Sequence, residues 1–510
     1  MNTKELLFST EARQRVLSGI TKTARAVRAT LGPKGRLIAI QKKQGHPPVL
    51  TKDGVTVARE CVLTDKYEAL GADLIKQAAR ATNDEAGDGT TNSTVLAEAL
   101  IVKGMKLVEQ GYDSQTLRGE LESASNVAVE ALKSLSKPVD GNIGYIANIS
   151  ANDEKIGAVI TEAIEAVGKD GSIDIKDGVK DQDELTIANG MKLPRGPIDP
   201  AFSNTGEQDA YKVEYQHAKV LVTDIRIDHP SQLAPLYEKH GKDPLIIFSP
   251  SISQETAAAI LYNNIQQGFQ VLPIPFHTYQ WQGQLLDIAA YTGATMVNNG
   301  AQRLEDVVLD QLGYVEAVTS KKNETILRGG TGDVAPRQEE IRNLMNGDEV
   351  SQFQKELYTK RIANLEGKVA VIHVAGATES EKVERKHRYE DASNSVRSAL
   401  QEGIVPGGGW ALLRASEQLE GKTEGEKLLK WAMTRPAYYI AENAGQSGDV
   451  VLSKTTDKKG YNARDDKYED LEKAGIIDPV KVPRLALINA VSIAGVTFTL
   501  EGVMVYEDEK

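Results

Sequence analysis

NDEAGDGTTNSTVLAEAL, residues 83–100, decides how this chain is read. Upstream, residues 67–85 carry apolar side chains at helical spacing; Gly87 and Gly89 interrupt the pattern, and a second apolar helix is predicted over about 93–107. That arrangement leaves the free backbone N–H groups of the second helix's first turn at the glycine loop, where they stabilise an anion. Thr90 and Thr91 add hydroxyl donors. Asp88, between the glycines, has the chemistry to hold a divalent cation that bridges phosphates.

Two more glycine loops follow the same logic. A helix predicted over 9–31, with Val16, Ile20, Ala24, Val27 and Leu31 on one face, runs into TLGPKG at 30–35, where Gly32 lets backbone approach a ligand. VPGGGWAL, residues 405–412, opens another helix with three glycines. Any one such loop is most often a plain helix cap. The standard phosphate fingerprints are absent: GKT at 421–423 has Ser416 where the P-loop pattern needs glycine, and GDGTTN has Asn92 in place of the third glycine of a dinucleotide loop.

Four carboxylates stand beside loop or helix-end signals: Asp53 in TKDG, Asp88 in GDGTT, Asp391 in RYEDAS and Asp478 in GIIDP. Hydrolysis of a phosphoanhydride needs a cation on the phosphates and an acceptor that orients water, and carboxylates serve both needs. For Asp53 and Asp478 the spacing equally fits turn or cap residues. His217, His229, His240 and His277 form no HxH or HxxxH pair and predict no metal site.

Composition narrows the class. At ~150 residues per domain, 510 residues suggest about three domains. A net charge of -12 disfavours nucleic acid. Cys61, the single cysteine, allows no intramolecular disulfide and fits a reducing compartment. The apolar run at Leu6 to Phe8 is too short for a signal peptide, and no stretch approaches the ~18 apolar residues of a membrane helix, so a cytoplasmic protein with no membrane partner is expected. Of the 27 aromatic residues, 14 fall within 189–369, where strand-like and helical runs alternate. The ends of the chain are ring-poor and helix-rich, so one domain can be closed from both termini.

TLGPKG, TKDGVTVARE, NDEAGDGTT, NISANDEKIG, GIVPGGG, GYNA and GIIDP occur in the order and spacing of the group I chaperonins, which the chain resembles over nearly its whole length. The resemblance implies a multi-domain α+β chaperonin fold: a mostly helical equatorial ATP-binding domain (1–134 and 402–510), a small α/β intermediate hinge domain (135–188 and 370–401) and an α/β apical client-binding domain (189–369). It implies an ATP hydrolase working with Mg2+ and K+ as a heptameric ring, and leaves open whether a co-chaperonin is needed. Thr30, Leu31, Gly32, Pro33, Lys52, Asp88, Gly89, Thr90, Thr91 and Asn92 match nucleotide-binding positions, with Asp88 the magnesium ligand and Thr30, Lys52 and Thr91 the potassium set. Gly408 matches the glycine that packs on the nucleotide, Asn462 and Ala463 the base-contacting pair, and Asp478 the ribose-side carboxylate. Asp391 matches the carboxylate that activates water, assisted by Asp53. Pro138 and Gly403 fall at a lower hinge, Gly190 and Gly367 at an upper one.

The departures gather at the client end. Phe202, Leu233, Leu236, Tyr237, Ile260, Leu261 and Ile265 are the apolar candidates for contact with non-native proteins. Pro197 and Ala201 replace aromatics, Ala234, Ala258 and Asn263 replace larger apolar residues, and FHTYQWQGQ at 276–284 replaces a basic stretch. For Leu233 and Leu261 core packing is an equal expectation. The chain ends in VYEDEK without a Gly/Met-rich tail. A ring-forming binding or scaffold protein with a narrowed client range therefore stands as the alternative to a folding machine.

Overall fold

In a computed structural model, the structure describes residues 4–41, 48–139, 143–151, 153–168, 171–178, 180, 182–205, 211–277, 281–298, 300–345, 351–376 and 378–506; the centre of FHTYQWQGQ and the last residues of VYEDEK lie outside them. Two compact units are present. One comprises Met1–Glu162 with Gly376–Lys510, the other Ala163–Ala375. Segments 135–162 and 376–401 pack with the first, and 163–188 and 370–375 with the second.

The first unit is helical because its apolar residues recur at three and four positions. Ser9–Arg28, Lys66–Ala86, Thr90–Glu109, Ser114–Ser134 and Lys481–Phe498 pool their buried faces. Ile20, Ile75, Leu100 and Leu121 from the N-terminal part meet Leu429, Leu487 and Phe498 from the C-terminal part in one core, so both ends of the chain build it. Antiparallel pairing of Lys4–Phe8 with Gly502–Tyr506 joins the ends again. Ser9–Arg28 and Lys66–Ala86 approach so closely that a Cβ on Gly19 would overlap the Glu68 carbonyl and one on Gly71 the Val16 carbonyl. Among the described residues only Lys481–Phe498 is long and apolar enough to cross a membrane, and 61% of it is buried in this core.

The second unit is a mixed eight-stranded sheet in the order Ser172–Asp177, Lys368–Val374, Glu184–Leu193, Glu324–Gly330, Gly313–Lys321, Val213–Val222, Leu245–Ser249, Val271–Pro275. The strand-like runs expected within 189–369 lie in it. Glu184–Leu193 is its pivot: Glu184 to Asn189 pair only with Lys368–Val374, and Gly190 to Leu193 only with Glu324–Gly330. Gly190 N–H donates to Gly367 O at 3.0 Å at the changeover. Three helices of this unit, Trp281–Thr292, Ala335–Met345 and Gln352–Leu365, are tied to one another by a buried charge group, in which Asp287 accepts from Arg337 Nε at 2.7 Å and Arg361 Nε at 2.6 Å. A buried carboxylate holding two guanidiniums is paid for only because every charge has a close partner.

Candidate functional site

The glycine loop is built as its sequence requires. Lys66–Ala86 ends at Gly87 (φ 73°) and Thr90–Glu109 begins from Gly89 (φ 91°), two left-handed positions that favour glycine. The helix therefore starts three residues earlier than the periodicity predicts, because Gly89 and not the first apolar residue sets its cap. Ser93 N–H is the first to reach back, to Gly89 O at 2.9 Å, leaving those of Thr90, Thr91 and Asn92 without helical partners. Among the described residues, Thr90 Oγ1 and Asn92 Oδ1 are buried with no hydrogen-bond partner. Buried polar atoms of this kind are expensive unless something satisfies them. Here they stand in the first turn of a 20-residue helix, whose positive end favours anions.

Asp88 is gripped on both oxygens: Gly89 N–H donates to Oδ1 at 2.5 Å and the Ser395 hydroxyl to Oδ2 at 3.3 Å. Ser395 arrives on the 24-residue helix Glu379–Glu402, which also carries Asp391. That helix lies against the loop: Ser398 Oγ donates to Ala86 O at 2.9 Å, and a Cβ on Gly87 would overlap Asn394. Asp53 caps Gly54–Glu60, accepting from Val55 N–H at 3.0 Å and Thr56 N–H at 2.8 Å. A Cβ on Gly54 would overlap Thr91 Oγ1, so that cap abuts the glycine loop. Asp53 is thus a cap residue and a neighbour of the other carboxylates at once.

The remaining loops close around the same place. Thr30 is buried, its hydroxyl donating to Val27 O at 2.8 Å, while Gly32, Pro33 and Lys52 are exposed. Asn443 Nδ2 donates to both Arg28 O and Leu31 O at 2.9 Å and fixes the run into Gly32. Leu31 and Ala463 share an apolar cluster with Ile440 and Tyr461. Val405 pairs with Asp478, and a Cβ on Gly407 would lie 2.9 Å from Asp478 Oδ1. Gly408 (φ 64°), Tyr461 and Trp410 line one small recess. The Asn462 amide is committed within its hairpin, donating to Glu469 at 2.7 Å.

The four carboxylates feel one another. Burial raises Asp391 well above the ordinary carboxylate range, with repulsion from Asp88, Asp53 and Glu390 adding to it. Burial also raises Asp88, reinforced by Asp53 and opposed by the Gly89 and Ser395 hydrogen bonds. Asp478 is pushed up to about 7 by burial and by Asp88. Such a cluster takes up a proton or a cation readily. Among the described residues no group of three or more His, Cys, Asp or Glu is placed to hold a metal. A cation at Asp88 must draw most of its oxygens from elsewhere, which suits Mg2+ shared with phosphates.

Ser395, Ser398 and Asn443 were not singled out by sequence reasoning. A signal existed for the serines: Asp391, Ser395 and Ser398 stand at i, i+4 and i+7, one face of a helix.

The expected client residues are mostly interior. Phe202, Leu233, Leu236 and Ile260 lie in the core of the sheet unit, and Tyr237 and Leu261 pack partly buried against it. Their helices are short and amphipathic, so the apolar face that the pattern reveals is used up on the sheet beneath. Ile265 is exposed (67%), and so is Tyr262 (62%), which was not among the candidates. At the expected lower hinge, Gly403 (φ 87°) precedes Ile404, which exchanges backbone hydrogen bonds with Lys137; Pro138 follows, exposed.

Comparison with known proteins agrees with this architecture. The family model for the TCP-1/cpn60 chaperonin family matches residues 23–237 and 239–507. The chaperonin gp146 of the bacteriophage EL 2 (Pseudomonas aeruginosa), crystallised in the presence of ATP-BeFx, is similar in two crystal forms. Form II gives a TM-score of 0.73 at 24% identity, and form I 0.64 at 25%, each covering 99% of both chains.

Proposed function

The chain belongs to the TCP-1/cpn60 chaperonin family and has the chaperonin fold, and from that premise we propose that it binds and hydrolyses ATP to drive a client-handling cycle in a homo-oligomeric ring. The observation that carries the reading is the convergence of Asp88, Asp391 and Asp53 on a helix N-terminus holding two buried, partnerless polar atoms. A similar phage chaperonin, 25% identical, was crystallised in the presence of ATP-BeFx, which supports nucleotide binding by this chain.

The free N–H groups of Thr90, Thr91 and Asn92, with the Thr90 hydroxyl, bind phosphate oxygens. Thr30 to Pro33 line the phosphates from the opposite side, and Gly408, Asn462, Ala463 and Asp478 face the nucleoside. Asp88 holds Mg2+, which when bound neutralises phosphate charge; Thr30, Lys52 and Thr91 are the proposed K+ contacts. Asp391, whose carboxyl has a raised proton affinity, accepts the proton of the attacking water, and Asp53 orients it. Because Asp391 sits on the helix that lies against the loop, hydrolysis requires that helix to be docked.

Docking gives ATP its leverage on shape. Moving a two-state population from 1:99 to 99:1 takes about 5.5 kcal/mol of differential affinity, and contacts made only with the Glu379–Glu402 helix in place supply a difference of that kind. The hinges at Pro138 and Gly403 and at Gly190 and Gly367 divide equatorial, intermediate and apical parts and let the apical part turn. Clients bind at apical apolar residues that are exposed, Tyr262 and Ile265 first. The interior position of Phe202, Leu233, Leu236 and Ile260 favours a narrow client range, as in the scaffold alternative.

Magnesium-dependent release of inorganic phosphate by the purified protein tests the reading. Asp391→Ala is expected to slow release by roughly 100-fold or more while nucleotide still binds. Wild type that releases no phosphate, or a variant as fast as wild type, overturns it. Refolding of a denatured client with and without ATP separates a folding machine from a scaffold.

A further inference from the structure

We propose that Ser395 is a positioning residue that makes cation binding at Asp88 depend on docking of the Glu379–Glu402 helix. The inference rests on the reading of Asp88 as the Mg2+ ligand and goes beyond it, since it concerns how that ligand is readied.

The geometry is a relay of hydroxyls. Ser395 Oγ lies 2.9 Å from Ser150 Oγ and 3.3 Å from Asp88 Oδ2. A hydroxyl has one hydrogen, and a carboxylate only accepts, so the Ser395 hydrogen goes to Asp88 and Ser150 must donate to Ser395. The relay Ser150 to Ser395 to Asp88 therefore crosses three segments: the helix Ile143–Ala151, the helix Glu379–Glu402 and the glycine loop. Ser395 is fully buried, so water does not replace either bond while the helix is in place. Each hydrogen bond polarises the next.

Asp88 owes its Oδ1 partner to its own loop, through Gly89 N–H, but its Oδ2 partner to a separate helix. Only the second can be withdrawn by a movement of that helix. Asp391 stands one turn before Ser395 on the same face, so a single docking event delivers the water-activating carboxylate and fixes the rotamer of the cation ligand. Coupling of this kind is reciprocal: a cation bound at Asp88 must favour the docked helix by the same factor. Ser398 provides an internal control, because it docks the same helix to the same loop through Ala86 O without touching Asp88.

The test uses the full chain with ADP and Mn2+ as the probe, free Mn2+ being read by electron paramagnetic resonance. Amide deuterium exchange over 379–402 and phosphate release are followed in parallel. Ser395→Ala is expected to weaken Mn2+ binding about tenfold, the worth of one hydrogen bond to a charged group at the low end. It is also expected to abolish Mn2+-induced protection of 379–402. Ser398→Ala is expected to leave Mn2+ affinity within about twofold. If Ser395→Ala does not fold, Ser150→Ala carries the test, with a weakening of about twofold to threefold.

Equal Mn2+ binding by wild type and the relay variant overturns the inference, and so does an equal loss in Ser398→Ala, which would mean general packing. Wild type that binds Mn2+ but releases no phosphate overturns only the ATPase reading. Wild type that binds no Mn2+ overturns the assignment of Asp88 and the inference with it.

Discussion

Asp478 is held at about 7 by burial and by Asp88, and the sign of that shift has consequences. An acid whose pKa is raised on folding binds more protons folded than unfolded, so its contribution to stability falls as pH rises from near 4 through about 7. Asp478→Asn removes that penalty. The variant is expected to melt about 2 °C above wild type at pH 8 without nucleotide, with the difference gone near pH 4 and ADP affinity reduced. A fluorimetric melting series over pH 4 to 8 checks this; an unchanged or lower melting point at pH 8 counts against it. The four aspartates were legible because each stood beside a loop signal and in a matching motif. Which roles they combine was not. Asp53 proved to be a helix cap and a member of the cluster together, and a spacing cannot show that a carboxylate whose two oxygens each accept from an amide also lies near another carboxylate. Ser395 was less legible still, since its i+4 spacing from Asp391 puts it on the same helix face but does not show that Asp88 is its partner across the gap.

Among elements, the contact between the glycine loop and the Glu379–Glu402 helix is the most exacting. Gly87 combines a left-handed φ of 73° with a Cβ position already filled by Asn394. Gly87→Ala therefore meets backbone strain of about 1–2 kcal/mol and also a steric demand that pushes the helix away. Gly111 supplies the comparison, being left-handed (φ 96°) with open space around its Cβ position. Gly111→Ala is expected to lower the melting point with turnover per folded molecule unchanged. Gly87→Ala is expected to lower it and to cut phosphate release at least tenfold. Melting curves and phosphate release, each corrected for folded fraction, check the pair; equal turnover in both variants would mean that docking at Gly87 is not needed for hydrolysis. The helices and strands themselves were largely readable, because periods of 3.6 and 2 show in the apolar residues. The switch of partners along Glu184–Leu193 was not readable from the apolar period; Gly190 was marked only through the resemblance, as an expected hinge, and the change lies in which backbone sits beside it.

For the molecule as a whole, the question is what the helical unit does with its small sheets. Lys4–Phe8 with Gly502–Tyr506 makes one two-stranded sheet, and Ile38–Ile40 with Val49–Thr51 another. Two strands alone are marginal in water, and open edges invite pairing with another chain. Both sheets also show apolar side chains to solvent, Leu6, Phe8, Met504 and Tyr506 on the first and Leu50 on the second, with Leu37 beside it. In the proposed ring, identical subunits meeting head to tail would cover one of these sheets with a neighbour's surface. The closing of one core from both termini was visible in the ring-poor flanks of the sequence. The use of the outer faces was not, because an apolar pattern shows which face is apolar and not what covers it; for the same reason it did not show that Phe202, Leu233, Leu236 and Ile260 are interior. Phe8→Ser combined with Met504→Ser changes two exposed side chains, and surface changes of this kind usually stay within about 0.5 kcal/mol each. The double variant is therefore expected to melt within about 2 °C of wild type while losing its ring in mass photometry at micromolar concentration. Phosphate release should persist in the dispersed subunits, since Asp53, Asp88 and Asp391 all come from one chain. Rings as abundant as those of wild type would place the interface elsewhere, and loss of phosphate release together with the ring would mean that a neighbouring subunit completes the site.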